Sequence, residues 1–138
     1  MSRNIVLLDV GNSACKWIGR DALGGLRQGR CNPRSVVDEL SVELGDALRD
    51  ATVLVASVAA PDVQTLLSDS LSALCGQVWF AQSRASLDGL VNSYEVPERM
   101  GVDRWLAMLA ARRRCPGRVG VVDAGSALTI DLVAQDGC

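Results

Sequence analysis

The chain has 138 residues, 49% of them hydrophobic and 22% charged, a composition that suits one folded globular domain and excludes a disordered chain. The formal net charge is −2, so no basic excess indicates nucleic acid or an anionic membrane as a partner. The sequence contains no histidine, which excludes a Ser-His-Asp triad and a Cys-His pair within it.

The first apolar run, Ile5 to Leu8, is interrupted by Asp9 and is too short for a signal peptide or a membrane span. We therefore predict a cytoplasmic protein. The five cysteines form no C-x-x-C motif, and we expect them to be free, reduced thiols.

Strands and helices alternate along the predicted chain. We predict strands at 5–8, 15–19, 26–31, 52–58, 77–81, 119–122 and 128–133, helices at 33–50, 61–71 and 103–114, and a loop at 83–97. Ser35 is the expected cap of the first helix, and Pro61 suits the first turn of the second. In the third helix we predict an apolar face of Leu106, Leu109 and Ala110. This order is typical of an α/β fold with a mixed sheet, and a ribonuclease-H-like layout fits it.

One short pattern occurs twice, each time after an apolar strand. Asp9-Val-Gly-Asn-Ser follows the first strand, and Asp123-Ala-Gly-Ser follows the strand at 119–122. Such a repeat indicates a duplicated unit. Because the second copy begins so near the last residue, we expect the chain to be a truncated protein or a fragment.

The first copy offers the parts of a phosphate-binding turn. Gly11 permits a sharp turn, Asn12 and Ser13 supply donors, Asp9 suits Mg²⁺ and Lys16 adds positive charge. The alternative is a simple hairpin turn, for which Asp-x-Gly-Asn is equally good chemistry.

The second copy has the same parts. Asp123 is the acid, Gly125 the glycine, and Ser126 and Thr129 are the hydroxyl donors. A hairpin turn is again the alternative, but two copies together favour two phosphate-binding hairpins that face each other across a cleft.

A third candidate site lies at the start of the helix predicted at 103–114. Asp103 suits a general base that accepts a proton from a substrate hydroxyl, and Arg104 suits a clamp for a substrate carboxylate. The alternative for Asp103 is a helix N-cap.

Taken in order, these motifs resemble the type III pantothenate kinases. The resemblance rests on D-V-G-N-S-x-x-K at 9–16, Tyr94, M-G-V-D-R at 100–104 and D-A-G-S-A-x-T-x-D at 123–131. It implies an ATP-dependent kinase that phosphorylates pantothenate, with a fold of two ribonuclease-H-like domains of the actin, sugar-kinase and Hsp70 superfamily. Residues 1–117 would form the first domain, and 118–138 would begin a second, truncated one.

The resemblance also implies roles for individual residues. ATP phosphates would be bound by Asp9, Gly11, Asn12, Ser13, Lys16, Gly125, Ser126 and Thr129, and pantothenate by Tyr94, Gly101 and Arg104. Asp103 would be the catalytic base, and Asp9 and Asp123 the Mg²⁺ ligands. Asp131 lies in the region to consider for cation binding.

The family implies ATP, Mg²⁺ and a monovalent cation, K⁺ or NH₄⁺, and a homodimer that binds neither nucleic acid nor membranes. Two alternatives remain. One is another actin-like small-molecule kinase, such as an acetate-kinase-type enzyme, and the other is a non-catalytic accessory factor for transcription.

Overall fold

The computed structural model describes residues 4–138. The chain forms two compact units, one that ends at Ala81 and one that runs from Gln82 to Cys138. The predicted boundary at residue 117 would separate two ribonuclease-H-like domains, and it stays a prediction.

The first unit is built on a five-stranded mixed sheet. Its strands are β1 (Ile5–Val10), β2 (Cys15–Arg20), β3 (Leu26–Cys31), β4 (Thr52–Ser57) and β5 (Gln77–Phe80). The strand order is β3-β2-β1-β4-β5, with β1, β2 and β3 antiparallel and β4 and β5 parallel to β1. The predicted α/β class with a mixed sheet is therefore confirmed.

Two helices cover one face of this sheet. The first, α1, spans Val36–Leu44 and is flanked by 3₁₀ turns at Pro33–Ser35 and Gly45–Leu48, and the second, α2, spans Pro61–Leu74. The prediction of one continuous helix over 33–50 was wrong, because Gly45 has φ 54°, a left-handed conformation that ends α1. Ser35 makes no side-chain cap, and Asn32 accepts a hydrogen bond from the Arg34 amide instead.

Alternating burial along β1 places the core of the first unit. Val6, Leu8 and Val10 are at most 3% exposed, whereas Ile5 and Leu7 point to the opposite, open face. The buried side meets apolar residues of both helices and of β4, including Val36, Leu40, Leu44, Val53, Val55, Leu67 and Leu71. Each such side chain stabilises the fold by roughly 1.5–3 kcal/mol on burial.

The second unit packs one helix against a hairpin. It contains two-residue strands β6 (Ser86–Leu87) and β7 (Leu90–Val91), a 3₁₀ turn at Pro97–Arg99, helix α3 (Val102–Arg114) and strands β8 (Val119–Ala124) and β9 (Leu128–Val133). Strands β8 and β9 are antiparallel. One face of this hairpin packs towards α3, and the other exposes Val122, Leu128, Ile130 and Leu132.

The buried face of α3 differs from the predicted one. The buried residues are Val102, Trp105, Met108 and Leu109, whereas Leu106 and Ala110 are exposed. The prediction was right for Leu109 and wrong for Leu106 and Ala110, because apolar residues surround much of this helix and periodicity alone does not select one stripe. None of the helices within residues 4–138 is long and apolar enough to cross a membrane.

A close contact beneath β3 depends on one glycine. The indole Nε1 of Trp17 donates a hydrogen bond of 2.7 Å to the Glu39 carboxylate, and Gly29 lies directly against this pair. A Cβ on Gly29 would lie 2.5 Å from the Trp17 Nε1 and would also overlap Glu39. Since Trp17 is only 4% exposed, its ring has little room to move.

We therefore expect Gly29→Ala to lower the free energy of unfolding by about 1–3 kcal/mol, as overpacking of a tight site does. Urea unfolding followed by circular dichroism measures this. Gly120→Ala is the matched control, because Gly120 is also in a strand but its Cβ would have an ordinary 3.5 Å contact with Leu132. Equal stability of the two variants would contradict the expectation.

Candidate functional site

The first predicted phosphate turn is the β1–β2 hairpin. Asp9 pairs with Lys16 in the register, and both side chains are exposed. The Gly11 amide donates to the Ala14 carbonyl at 2.9 Å, which closes the turn. Asn12 is exposed at its tip, beside Ser13. The structure thus brings all five predicted residues of this motif into one hairpin.

The second predicted turn is the β8–β9 hairpin. It resembles the first, but its loop has three residues, 125–127, against four, 11–14. Asp123 pairs with Thr129, and this is the second residue pair counted from the turn. Asp9 and Lys16 form the second pair from the turn in the first hairpin. The Gly125 amide donates to the Ala127 carbonyl at 3.0 Å, and Ser126 is exposed in the turn. The predicted repeat of strand, Asp-x-Gly turn and strand is confirmed, whereas phosphate binding by either turn stays a prediction.

The start of α3 carries the third candidate site. The N-cap is Gly101, which makes no side-chain capping bond, and Asp103 is the second helical residue. The alternative interpretation of Asp103 as an N-cap was therefore wrong. Its Oδ1 accepts a hydrogen bond of 2.8 Å from the Arg104 amide, and the side chain is half-buried. A carboxylate in the first turn also interacts favourably with the helix dipole.

Arg104 makes the most extensive side-chain contacts of this region. Its Nε donates to Asp131 Oδ2 at 3.0 Å, its Nη2 donates to Asp131 Oδ1, and its Nη1 donates to the Tyr94 hydroxyl at 3.0 Å. The hydrogen bonds to Asp131, and then that to Tyr94, raise the pKa of Arg104 above its ordinary value. Both carboxylate oxygens of Asp131 accept from the guanidinium, so a cation at Asp131 would have to compete with Arg104.

The loop before α3 is organised by two buried polar residues that the sequence analysis missed. Asn92 donates from Nδ2 to the carbonyls of Arg84 and Pro97, both at 3.2 Å, and accepts from the Tyr94 amide at 3.0 Å. Ser83 donates to the Met100 carbonyl at 2.8 Å. An asparagine two residues before Tyr94 was the available signal, because Asn commonly bonds to the backbone two residues on.

The predicted site residues thus fall into two groups. Tyr94, Gly101, Asp103 and Arg104 lie together in the unit that also contains the second hairpin, and the first hairpin belongs to the other unit. The predicted arrangement of the two hairpins across a cleft stays a prediction.

The carboxylates of the hairpins could bind Mg²⁺ only together with water and the phosphate oxygens of a substrate. Within residues 4–138, no group of three or more His, Cys, Asp or Glu side chains is placed to hold a metal. Asp9 and Asp123 are exposed, one in each hairpin. Mg²⁺ commonly binds one or two carboxylates and completes its shell with water and phosphate oxygens, which this donor set allows.

Comparison with known proteins identifies the family. The family model described as type III pantothenate kinase matches residues 5–138, nearly the whole chain. The chain belongs to the type III pantothenate kinase family.

Several curated type III pantothenate kinases are similar to this chain. That of Xylella fastidiosa (strain 9a5c) is 39% identical, over 96% of this chain and 53% of the relative. That of Cellvibrio japonicus (strain Ueda107) is 38% identical, over 96% and 54%, and that of Thiobacillus denitrificans is 36% identical, over 99% and 54%. The chain spans about half the length of the curated relatives it matches.

In this family member a buried thiol lies inside the first hairpin. Cys15 is 0% exposed and pairs with Cys31 on β3, and all five cysteines, which lie within the described residues, are free thiols as predicted. Burial, with the added effect of the neighbouring Cys31 and Asp9, raises the pKa of Cys15 to about 12. Burial, and then the Glu39 carboxylate, raises the pKa of Cys31 to about 11.

We expect iodoacetamide at pH 8 to alkylate the exposed Cys115 and Cys138 well before Cys15. At that pH a thiol with a pKa of about 12 is thiolate in on the order of one molecule in 10⁴, and the thiolate is the nucleophile. Cys15 is also 0% exposed, so iodoacetamide reaches its sulfur only when the hairpin opens. Peptide mass spectrometry measures each site, and urea-unfolded protein is the control. Equal rates at Cys15 and Cys115 in folded protein would contradict this assignment.

Proposed function

We propose that this chain carries the pantothenate site and the phosphate-binding hairpins of an enzyme that transfers phosphate from ATP to pantothenate. The product would be 4′-phosphopantothenate, in the first step of coenzyme A biosynthesis. The observation that supports this proposal most strongly is the combination of family membership with Asp103, Arg104 and Tyr94 gathered at the start of α3.

We assign the first unit to the ribonuclease-H-like fold of the actin, sugar-kinase and Hsp70 superfamily. Three antiparallel strands followed by two parallel ones, with helical connections, support this assignment. In the complete architecture residues 1–117 would belong to the first such domain, and residues from 118 onward would begin the second.

Phosphoryl transfer asks the protein mainly to position groups and to neutralise charge. In the first hairpin, the backbone of Gly11 and the side chains of Asn12, Ser13 and Lys16 would bind ATP phosphates. In the second hairpin, Gly125, Ser126 and Thr129 would do the same. Hydroxyl and amide donors at exposed turns suit this role because anions bind where several N–H and O–H groups converge.

Asp103 would act as the base for the primary hydroxyl of pantothenate. A half-buried carboxylate in the first turn of α3 is fixed by its bond to the Arg104 amide, and its second oxygen can accept a substrate proton. Gly101, the N-cap of α3, would contact the substrate, and Arg104 and Tyr94 would bind the far end of pantothenate.

Asp9 and Asp123 would hold Mg²⁺, which supplies positive charge to the phosphate oxygens. We also propose a requirement for a monovalent cation, K⁺ or NH₄⁺. The working enzyme would be a cytoplasmic homodimer that binds pantothenate and ATP and neither nucleic acid nor membranes.

The first experiment measures ADP release by this chain with ATP, Mg²⁺ and K⁺, with and without pantothenate. Pantothenate-dependent release supports the kinase. If there is none, the same assay is run on a chimera in which this chain precedes the C-terminal half of the Xylella fastidiosa relative. A chimera that binds ATP but shows no pantothenate dependence would refute the proposed activity.

In whichever of these proteins turns over, we expect Asp103→Asn to reduce kcat by about 10²–10⁴-fold, the usual contribution of a general base. ATP binding, measured by calorimetry, should remain within about twofold, because Asp103 is not assigned to the nucleotide. Asp88→Asn is the control, since Asp88 pairs with Arg113 at the surface. Near-normal turnover of Asp103→Asn would show that another group accepts the proton.

A further inference from the structure

The carboxylate of Asp131 is held in an unusual environment for this protein. Its side chain is 9% exposed, and both of its oxygens accept hydrogen bonds from Arg104, whose side chain is 27% exposed. A carboxylate this deep is stable only when it is paired and hydrogen-bonded. The pair therefore fixes the orientation of the guanidinium, not merely its charge.

We infer that Asp131 is a positioning residue that holds Arg104 in the orientation in which its remaining N–H groups bind a substrate carboxylate. This inference rests on the proposed function, in which that carboxylate belongs to pantothenate. Asp131 itself would not touch the substrate, and it would act entirely through Arg104.

The donors of Arg104 can be counted. A guanidinium has five N–H groups, and among the hydrogen bonds of the described residues three are engaged, two by Asp131 and one by the Tyr94 hydroxyl. One N–H on each terminal nitrogen remains, which is the number that a carboxylate accepts in a bidentate contact. A long arginine side chain without Asp131 would have to be ordered at the moment of binding, at an entropic cost.

Asp131 lies in β9, so its contact with Arg104 also links this strand to α3. Alternating residues of a strand share a face, so Thr129, Asp131 and Val133 lie on the same side of the hairpin. Val133 belongs to the same buried apolar cluster as Trp105 of α3, so β9 and the helix share a core. The strand that carries the predicted phosphate donor Thr129 thus also carries the carboxylate that positions Arg104.

A surface pair in the same unit provides a matched control. Arg113 also makes two hydrogen bonds to one aspartate, Asp88, but these side chains are 72% and 43% exposed. Exposed ion pairs of this kind contribute little, so the same substitution there should have almost no effect.

The experiment compares wild type, Asp131→Asn and Asp88→Asn, in this chain and in the chimera described above. Nitrogen-15 NMR of the arginine Nε–Hε groups, with Arg104 assigned from Arg104→Ala, reports by hydrogen exchange whether the Arg104 Nε–H is held in its bond to Asp131. We expect a slowly exchanging Arg104 signal in wild type and in Asp88→Asn, and a fast-exchanging one in Asp131→Asn. An unchanged Arg104 signal in Asp131→Asn overturns the inference.

Calorimetry then measures pantothenate and ATP binding to the same proteins. We expect Asp131→Asn to weaken pantothenate binding roughly 10- to 100-fold, as the loss of hydrogen bonds to a charged group does, with ATP binding unchanged. The double variant Arg104→Ala with Asp131→Asn should bind pantothenate no more weakly than Arg104→Ala alone, because Asp131 acts through Arg104. Additive losses, or an equal loss of ATP binding, overturn the positioning role.

Failure of the proposed function gives a different result. If the wild-type proteins bind no pantothenate, that function fails, while the NMR comparison still shows whether Asp131 orients Arg104. If Asp131→Asn does not fold, Asp131→Glu replaces it, and rapid exchange of the Arg104 Nε–Hε group in wild type is then the overturning result.

Discussion

The first unit depends on the alternation of side chains along its central strand, β1. This strand pairs with β2 on one side and β4 on the other, and its residues Val6, Leu8 and Val10 are buried beneath the helices. Because alternate residues point to opposite faces, Asp9 is exposed on the other face. A slip of one residue would bury Asp9 and expose the valines and leucine, so the core itself fixes where the acid of the first hairpin lies.

The same alternation gives a different result in β9, where the buried face includes a charged residue. Asp131 shares that face with Val133, and its burial is compatible with folding only because Arg104 binds both oxygens. The two hairpins therefore share the Asp-x-Gly pattern, but the loop of the second is one residue shorter and their second strands bury different kinds of side chain. The second hairpin is tied to α3 by a polar contact, whereas the buried face of β2 places Cys15 and Trp17 in an apolar core.

How much could be predicted from the sequence depended on the range of the interactions. Strand composition and the Asp-x-Gly turns are local signals. They predicted the observed bounds of β3 and β9, and they predicted both hairpins. The end of α1 was missed because helical spacing continues past Gly45, where the backbone conformation changes. The pairing of Arg104 with Asp131 could not be read from the sequence, since these residues are 27 positions apart and meet only after α3 packs on the hairpin.

The pairing of Arg104 with Asp131 affects how the protein would bind anionic substrates in the proposed function. Arg104 is neutralised by Asp131, so this cation presents no unbalanced charge. The whole chain has a net charge of −2, which gives no long-range attraction for ATP or for a carboxylate. Binding would then depend on directed donors, namely the remaining N–H groups of Arg104 and the polar groups of the two turns. Such donors act only at short range and in a fixed geometry. The precise orientation that Asp131 imposes on Arg104 thus matters more for recognition than the positive charge that it cancels.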